Sequence, residues 1–397
     1  MSTDDDAPTT PGTPRKRNWK TCVRAAVAAV ALAVGLAPMA ALPAASAAEP
    51  TASAAQQANE VAYVVTSTIP VGSVSKIDTR TNTVIATIAV GNDPFGVAIT
   101  PDGTHGYVTN SRADFVSLIN TITNTSIDII PVGHIPEGVV ITPDGGRVYV
   151  ANNGSNNVSV ISTASNTVVA TIPVGNSPEG MAISPDGTRV YVTNTFSDNV
   201  SVIDTATNTV VATIGVRQFP TMMTVAPNGA RAYVTNFQSN NVSVIDTATN
   251  RNVRTIPVGE NPVGVAVAPD SKTVYVTNLA TSDVSVIDAD TNTVVATIPV
   301  GNSPRGVAFT LDGTRAYVTN SASAGVSVID TASRTVITTV TVDAPSAVTV
   351  ALLPGPQPGP QPGPQPRAAA GIDAGVDQSM GRVGAPTRRG EAAGAGR

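Results

Sequence analysis

Histidine is nearly absent from this chain: its 397 residues include two, His105 and His134, beside one cysteine (Cys22) and one tryptophan (Trp19). Each scarcity excludes a chemistry. Zinc and haem sites draw on clustered His and Cys, and no such cluster stands in the sequence. A lone Cys cannot close a disulfide within the chain, and Cys22 has no lipobox around it. Aromatic residues are only 4 % of the total, so any core must be built from Val, Ile and Ala. The apolar run Ala25–Ala37 spans 13 residues, short of the roughly 20 that a membrane helix needs. Basic residues are few as well. Residues 49–353 hold 13 Lys and Arg against 22 Asp and Glu, a net charge of −9 with no Trp and no basic stripe. Such a surface is a poor phosphate binder, so no nucleic-acid partner is expected.

What the chain has in abundance is one phrase. "RVYVTNTFSDNVSVIDTATNTVVATI" (Arg189–Ile214) returns from Arg231 as "RAYVTNFQSNNVSVIDTATNRNVRTI". All seven tyrosines fall in it: Tyr63, Tyr107, Tyr149, Tyr191, Tyr233, Tyr275 and Tyr317, spaced by 42 residues from Tyr107 onward. Pro94, Pro136, Pro178, Pro220, Pro262 and Pro304 keep the same period. A fixed period of this length marks a repeat architecture. Within one unit, "GMAIS", "RVYVTN", "NVSVID" and "TVVATIGV" are short and β-branched, and turn signals such as "PDG", "TATN" and "GNSP" separate them. Four strands with hairpin-length links make one antiparallel sheet. Seven such sheets predict an all-β, seven-bladed β-propeller of four-stranded blades. The copies are out of phase at the ends. The ordered chain opens on a second strand, "AYVVTS" (Ala62–Ser67), and closes on an innermost one, "SAVTVAL" (Ser346–Leu352). Blade 1 is therefore expected to be completed by the C-terminal strand, which shuts the ring and removes an exposed edge.

"YVTN" stands at Tyr107, Tyr191, Tyr233, Tyr275 and Tyr317, "YVAN" at Tyr149 and "YVVT" at Tyr63. With "VSVIDT" and "PDG" in register, residues 60 to 353 closely resemble the YVTN-family β-propeller repeat proteins. That resemblance implies a propeller fold and an exported or surface-associated protein, and it implies no single reaction. Lactonases built on seven-bladed propellers are the enzymatic relatives to weigh, but the sequence offers no cluster of His, Glu and Arg to match one.

The remaining segments read differently. Residues 1–48 have a basic stretch, the apolar run and small residues before Glu49, the pattern of a secretory signal peptide cleaved near Ala47 or Ala48. Residues 49–59 read as a linker. The propeller is expected over 60–353, a stiff Pro/Gln/Gly linker over 354–366, and a tail too poor in apolar groups to pack over 367–397. No membrane span is expected in the mature chain, which reads as a secreted or envelope-associated monomer.

Most repeated polar residues read as structural. Asp204, Asp246, Asp288 and Asp330 end a strand where an Asx-turn is expected. Asn82, Asn124, Asn166, Asn208, Asn250 and Asn292 sit in the same turns, where left-handed backbone is expected. His105 and His134 fall in loops at opposite ends of the strands, so they cannot cooperate and no triad forms. "DADTN" (Asp288–Asn292) lacks the Gly and distal Glu of an EF-hand, and no metal or cofactor is expected. The repeat varies most at the residue after its fixed Pro: Phe95, Glu137, Glu179, Thr221, Val263, Arg305 and Ser346. These residues are expected at the channel mouth, with Phe196 and Phe237 in neighbouring loops. The candidate binding residues are therefore Phe95, Glu137, Glu179, Arg305, Phe196 and Phe237. They suit a protein, a peptide or an envelope polymer. The expected function is a non-enzymatic binding module, with an extracellular lactonase-like enzyme or small-ligand binder as the alternative. If the leader reading is right, protein recovered outside the cytoplasm begins near Ala48 or Glu49 on N-terminal sequencing. An intact Met1 or Ser2 in membrane-embedded material would show an anchor instead.

Overall fold

The computed structural model describes residues 60–67 and 71–354. The expected signal peptide, the linker 49–59 and the tail lie outside the described residues, as does the Pro-rich segment beyond Pro354.

Twenty-eight strands, β1 to β28 in chain order, form seven four-stranded antiparallel sheets, with no helix among the described residues. Blade 1 has the order β28-β1-β2-β3, from β28 (Pro345–Leu352), β1 (Glu60–Thr66), β2 (Ser73–Asp78) and β3 (Thr83–Ala89). Blade 2 is continuous: β4 (Pro94–Ile99), β5 (His105–Asn110), β6 (Phe115–Asn120) and β7 (Thr125–Pro131). Blades 3 to 7 repeat it. Their innermost strands are β8 (Pro136–Ile141), β12 (Pro178–Ile183), β16 (Pro220–Val225), β20 (Pro262–Val267) and β24 (Pro304–Phe309). The expected closure is present, since β28 pairs with β1 from Glu60↔Leu352 to Val65↔Ala347.

Burial follows the position of a strand in its blade. The first two strands are buried almost throughout, whereas the outermost, such as Thr167–Pro173, buries only its Ile. The core lies between blades. Tyr149, Val158 and Val160 of blade 3 share a cluster with Met181, Val190 and Val192 of blade 4, and each further junction has its own aliphatic cluster.

The words of the repeat now acquire separate jobs. The Tyr hydroxyl crosses to the next blade, where the turn Asn accepts it: Tyr107 to Asn166 at 2.9 Å, Tyr149 to Asn208 at 2.8 Å, and Tyr317 to Asn82 at 2.6 Å across the closure. Those Asn residues hold φ of 51° to 55°, as their turns require. The Asp at the end of the third strand caps the same turn, as where Asp204 Oδ1 accepts from Ala206 N and Thr207 N. The Thr works at the inner edge. Thr193 Oγ1 accepts the Gly180 amide at 2.8 Å and donates to the Thr221 carbonyl of blade 5 at 2.6 Å. Thr109, Thr235, Thr277 and Thr319 repeat this clasp. The final Asn reaches sideways inside its own blade, as Asn194 Nδ2 does to Ser201 Oγ at 2.9 Å.

In blades 4 and 6 the neighbouring inner strand comes so close that no side chain fits beside the clasp, whereas blade 5 holds Met222 there. A Cβ on Gly180 would lie 2.3 Å from the Thr221 carbonyl oxygen, and one on Gly264 2.0 Å from that of Arg305.

Loss of β28 should therefore open the whole ring, because it strips the buried inner edge from blade 1. A chain ending at residue 345 is expected to melt at least about 10 °C lower or to fail to fold, on the scale of several buried aliphatic side chains. One ending at residue 353 should melt with the full chain. Equal melting of both truncations, followed by circular dichroism, would show that the closure is dispensable.

Candidate functional site

Every inner strand carries a β-bulge just after its Pro. In blade 4, Pro178 pairs with Asn194 and the next partners are Met181 and Val192, leaving one extra residue on the inner strand. A bulge re-aims the side chain it carries. Here it turns the residue after Pro toward the ring axis while the Thr clasp holds the following amide.

The sequence places these seven side chains at a water-facing mouth. The structure buries them. Exposure is 1 % for Phe95, 5 % for Glu137, 3 % for Glu179, 1 % for Val263 and 8 % for Arg305, and Thr221 and Ser346 are equally buried. The inner strands converge until their varied residues fill the space between them. Phe95 of blade 2 shares one apolar cluster with Met222 of blade 5 and Val263 of blade 6, and Phe237 packs against that cluster. Phe95 is thus a plug rather than an open contact.

The polar members are held individually. Asn153 Nδ2 donates to Glu137 Oε2 at 3.0 Å, Thr195 Oγ1 donates to Glu179 Oε2 at 3.0 Å, and Arg305 Nε donates to Ser321 Oγ at 2.9 Å. Ser67 Oγ lies 3.4 Å from Ser346 Oγ in the same relation. In blades 3, 4 and 7 the partner stands 16 residues on, directly after the "YVTN" or "YVAN" Asn. At Val263 the residue 16 on is Leu279, which packs against the same apolar cluster, whereas Phe95 has Ser111 and Thr221 has Phe237 at that spacing. The pairing of polar residues at a spacing of 16 in blades 3, 4 and 7 is a sequence signal that reading the inner position alone overlooks.

Glu179 is the unusual member. Its Oε1 has no hydrogen-bond partner and is fully buried. Burial pushes its carboxyl up to about 8, against the smaller opposing pulls of the Thr195 hydroxyl and the Arg305 charge. The carboxyl is therefore largely protonated at neutral pH, and a protonated oxygen is a donor rather than an unpaired anion.

Above this layer an aromatic stack reaches the surface. Phe219, which the sequence reading does not single out, packs edge-on against Phe196 with centroids 5.8 Å apart and an interplanar angle of 85°. Phe219 and Phe237 lie 5.8 Å apart at 50°. The structure thus joins Phe196 and Phe237 through Phe219. Phe219 is 4 % exposed and Phe196 49 %. Phe219 holds φ of 61°, where other blades place Asp, Ser, Asn, Ile or Ala. A bulky residue in that region costs on the order of 1–3 kcal/mol, so the aromatic is retained against a backbone penalty. Its amide is fixed by Asp198 Oδ1 at 2.8 Å. Ile135, with φ of 53°, is a second strained position on this face.

The histidines lie apart, as the topology requires. His134 is paired with Asp114 at 2.9 Å on the face of the aromatic stack, and His105 contacts Thr104 Oγ1 at 2.7 Å on the other. The hydrogen bond from His134 is the main cause holding the Asp114 carboxyl below its usual range. No cluster of three or more His, Cys, Asp or Glu is placed to hold a metal ion among the described residues. No helix among them is long and apolar enough to cross a membrane.

With this geometry in view, comparison with known proteins places the chain. The choice-of-anchor I domain family matches residues 45–261, more than half of the chain, and the protein belongs to that family. No curated protein matches it. Solved structures share the fold. A hydrazine synthase of Kuenenia stuttgartiensis is similar at 24 % identity and a TM-score of 0.60, over 64 % of this chain and 89 % of that one. A functionally unknown protein of Desulfotomaculum acetoxidans is similar at 21 % identity and a TM-score of 0.65, over 74 % and 99 %. A putative 6-phosphogluconolactonase of Bacteroides uniformis is similar at 18 % identity and a TM-score of 0.63, again over 74 % and 99 %. Likeness at these identities carries the propeller and nothing of its chemistry.

The raised carboxyl of Glu179 has a measurable consequence for stability. Below about pH 4.5, its ordinary value, folded and unfolded chains both hold the proton. Between 4.5 and about 8 the unfolded chain has released it and the folded one keeps it, so rising pH favours unfolding across that window. Glu179→Gln is insensitive to this. Denaturant melts of variant and wild type should diverge in the variant's favour from pH 4.5 to 8, by on the order of a few kcal/mol. A constant difference would mean that Glu179 is ionised in the fold.

Proposed function

We propose that this protein is an exported propeller of the YVTN-repeat kind that acts at the cell surface as a non-enzymatic binding module. On this reading it holds a peptide or a polar envelope polymer on the rim that carries Phe196, Phe219 and Phe237. The observation that supports it most is the aromatic stack, kept at a backbone penalty and ending in a half-exposed ring. Rigid aromatics at a rim give contact area with little entropy loss on binding. Neighbouring loop groups such as Ser197, Gln218 and Ser239 add hydrogen-bonding capacity. Membership of a choice-of-anchor family agrees with a surface location.

Glu179 supports the second reading, a lactonase-like enzyme, because a carboxyl protonated at neutral pH is a proton donor. Substrate would have to reach a side chain that is 3 % exposed, and binding at the rim is therefore preferred.

The test is capture from the producing organism's envelope fraction and medium with the 49–353 propeller as bait. Phe196→Ser with Phe237→Ser should lose the captured partner. Val211→Ser with Val253→Ser, which removes apolar surface that is 51 % and 54 % exposed on outermost strands, should retain it. The proposal fails if the outer-strand variant loses the partner and the aromatic variant does not.

A further inference from the structure

The face opposite the aromatic stack carries a slot at each blade junction, and the chain itself shows what the slot takes. Arg147 of blade 3 donates from Nη1 to the Thr205 carbonyl in the turn of blade 4 at 2.6 Å. Arg231 of blade 5 does the same to Ala289 O at 2.8 Å and also reaches Asn292 Oδ1 at 3.1 Å. Arg315 of blade 7 donates to Thr79 O of blade 1 at 2.7 Å. Between blades 1 and 2 the cation arrives from another strand. Lys76 Nζ donates to Thr121 O at 2.7 Å and Asn124 Oδ1 at 2.8 Å, the equivalent turn acceptors. At these four junctions the slot thus takes a cation, and the cation need not come from one position in the repeat.

At two further junctions the slot is not filled in this way, and at the first of them the turn acceptor Asn250 Oδ1 is buried without a hydrogen-bond partner. Arg189 of blade 4 turns onto Asp204 of its own blade at 2.6 Å. Blade 6 has Thr273 in the arginine position, and Arg334 at the turn of blade 7 puts its charge near Tyr275 instead. The junction between blades 2 and 3 differs. The arginine position is His105, whose ring stays with Thr104, and the equivalent acceptors are Thr163 O and Asn166 Oδ1. A cleft of about 410 Å³ opens there, lined by Asp102, His105, Tyr107, Asp144, Thr163 and Asn166 among others, with no Lys or Arg on its walls.

We infer that this cleft is a binding site for an arginine side chain of a partner peptide, whose guanidinium takes the place that Arg147, Arg231 and Arg315 occupy at their own junctions. The guanidinium donates to Thr163 O and Asn166 Oδ1, and its charge lies between Asp102 and Asp144. Asn166 accepts one bond already, from Tyr107 at 2.9 Å, and a second lone pair remains. Hydrogen bonds from Thr142 and Gly146 hold the Asp144 carboxyl below its usual range, so it is ionised at neutral pH. The Tyr107 ring and Ile127 offer apolar surface to the arginine stem. The site lies on the other face from the aromatic stack and does not depend on the function proposed for it.

The test uses fluorescein-labelled Gly-Arg-Gly, Gly-Lys-Gly and Gly-citrulline-Gly peptides and fluorescence anisotropy on the 49–353 propeller. The arginine peptide should bind at least about tenfold more tightly than its neutral citrulline isostere, as a charge-assisted, forked contact requires. His105→Arg restores the repeat, so it should fold, melt no lower than wild type and abolish peptide binding. Asp144→Asn should weaken binding about tenfold with the melting temperature unchanged, and it decides the matter if His105→Arg misfolds. The inference is overturned by undiminished binding to either variant, by equal binding of citrulline, by lysine binding as tightly as arginine, or by no binding at millimolar peptide.

Discussion

The ring depends on a hydroxyl that does two things at once. The Thr of "YVTN" accepts the amide exposed by the inner bulge and donates to a carbonyl of the next blade. Without the first bond the bulge would leave a buried amide unpaired, at a cost of about 1–3 kcal/mol. Without the second, the carbonyl that crowds the neighbouring Gly would lack a donor. One side chain thus fixes the local bulge and the distance between blades, and the spacing of the ring follows from it. Blades 1 and 3 have Val65 and Ala151 here, so the clasp joins five of the seven junctions, and the junction that receives Glu179 is reached by a "YVAN" word. The Thr195 hydroxyl, which lies within hydrogen-bonding distance of both Glu179 Oε2 and Pro220 O, ties the following junction at the same depth.

This clasp also explains why the varied inner residues are not free. A bulge that points seven side chains at one axis leaves no room for seven solvated ones. Phe95 and Val263 share an apolar cluster with Met222, and Glu137, Glu179 and Arg305 are each held by a hydrogen bond. Recognition is pushed outward to the rim, where Phe196 retains half its surface. Position after position, the loops there keep a left-handed residue between two strands, and only Ile135 and Phe219 fill it with large apolar side chains.

The fold was legible because its signals are redundant. Seven tyrosines and the period of 42 residues between prolines fixed the number of blades, and the half-step offset between Tyr63 and Ser346 fixed the closure. Asp204 and Asn208 announced their turn by residue type alone. The site was less legible for a physical reason: variability marks a position that the backbone tolerates, and it does not say whether water or a neighbour lies opposite. Depth depends on how near the blades come, and that distance is set by Gly180 and Thr193, residues that look like background in the repeat. Phe219 was missed because it stands in the turn slot where Asn and Ser are routine. The cleft beside His105 is not legible in the sequence, because a histidine in the arginine position gains meaning only once the turn acceptors of the next blade are placed opposite it.

A repeat protein carries its own controls, and these separate two kinds of departure. Some are compensated within the fold. Glu137 meets Asn153, Glu179 meets Thr195, Arg305 meets Ser321, and Lys76 supplies from a different strand the cation that blade 1 lacks at the usual place. Compensation means that the fold itself needs the interaction, so these residues are explained by stability. Other departures cost the fold something or leave a groove open. Phe219 accepts backbone strain to prop a ring that ends in solvent, and His105 leaves acceptors facing an open cleft where an arginine stands at other junctions. A group that costs the fold something, or withholds something that several other blades use, is where a contact outside the chain is to be sought. By that criterion the two faces point to two contacts, an aromatic one on the rim of blades 4 and 5 and a cationic one between blades 2 and 3.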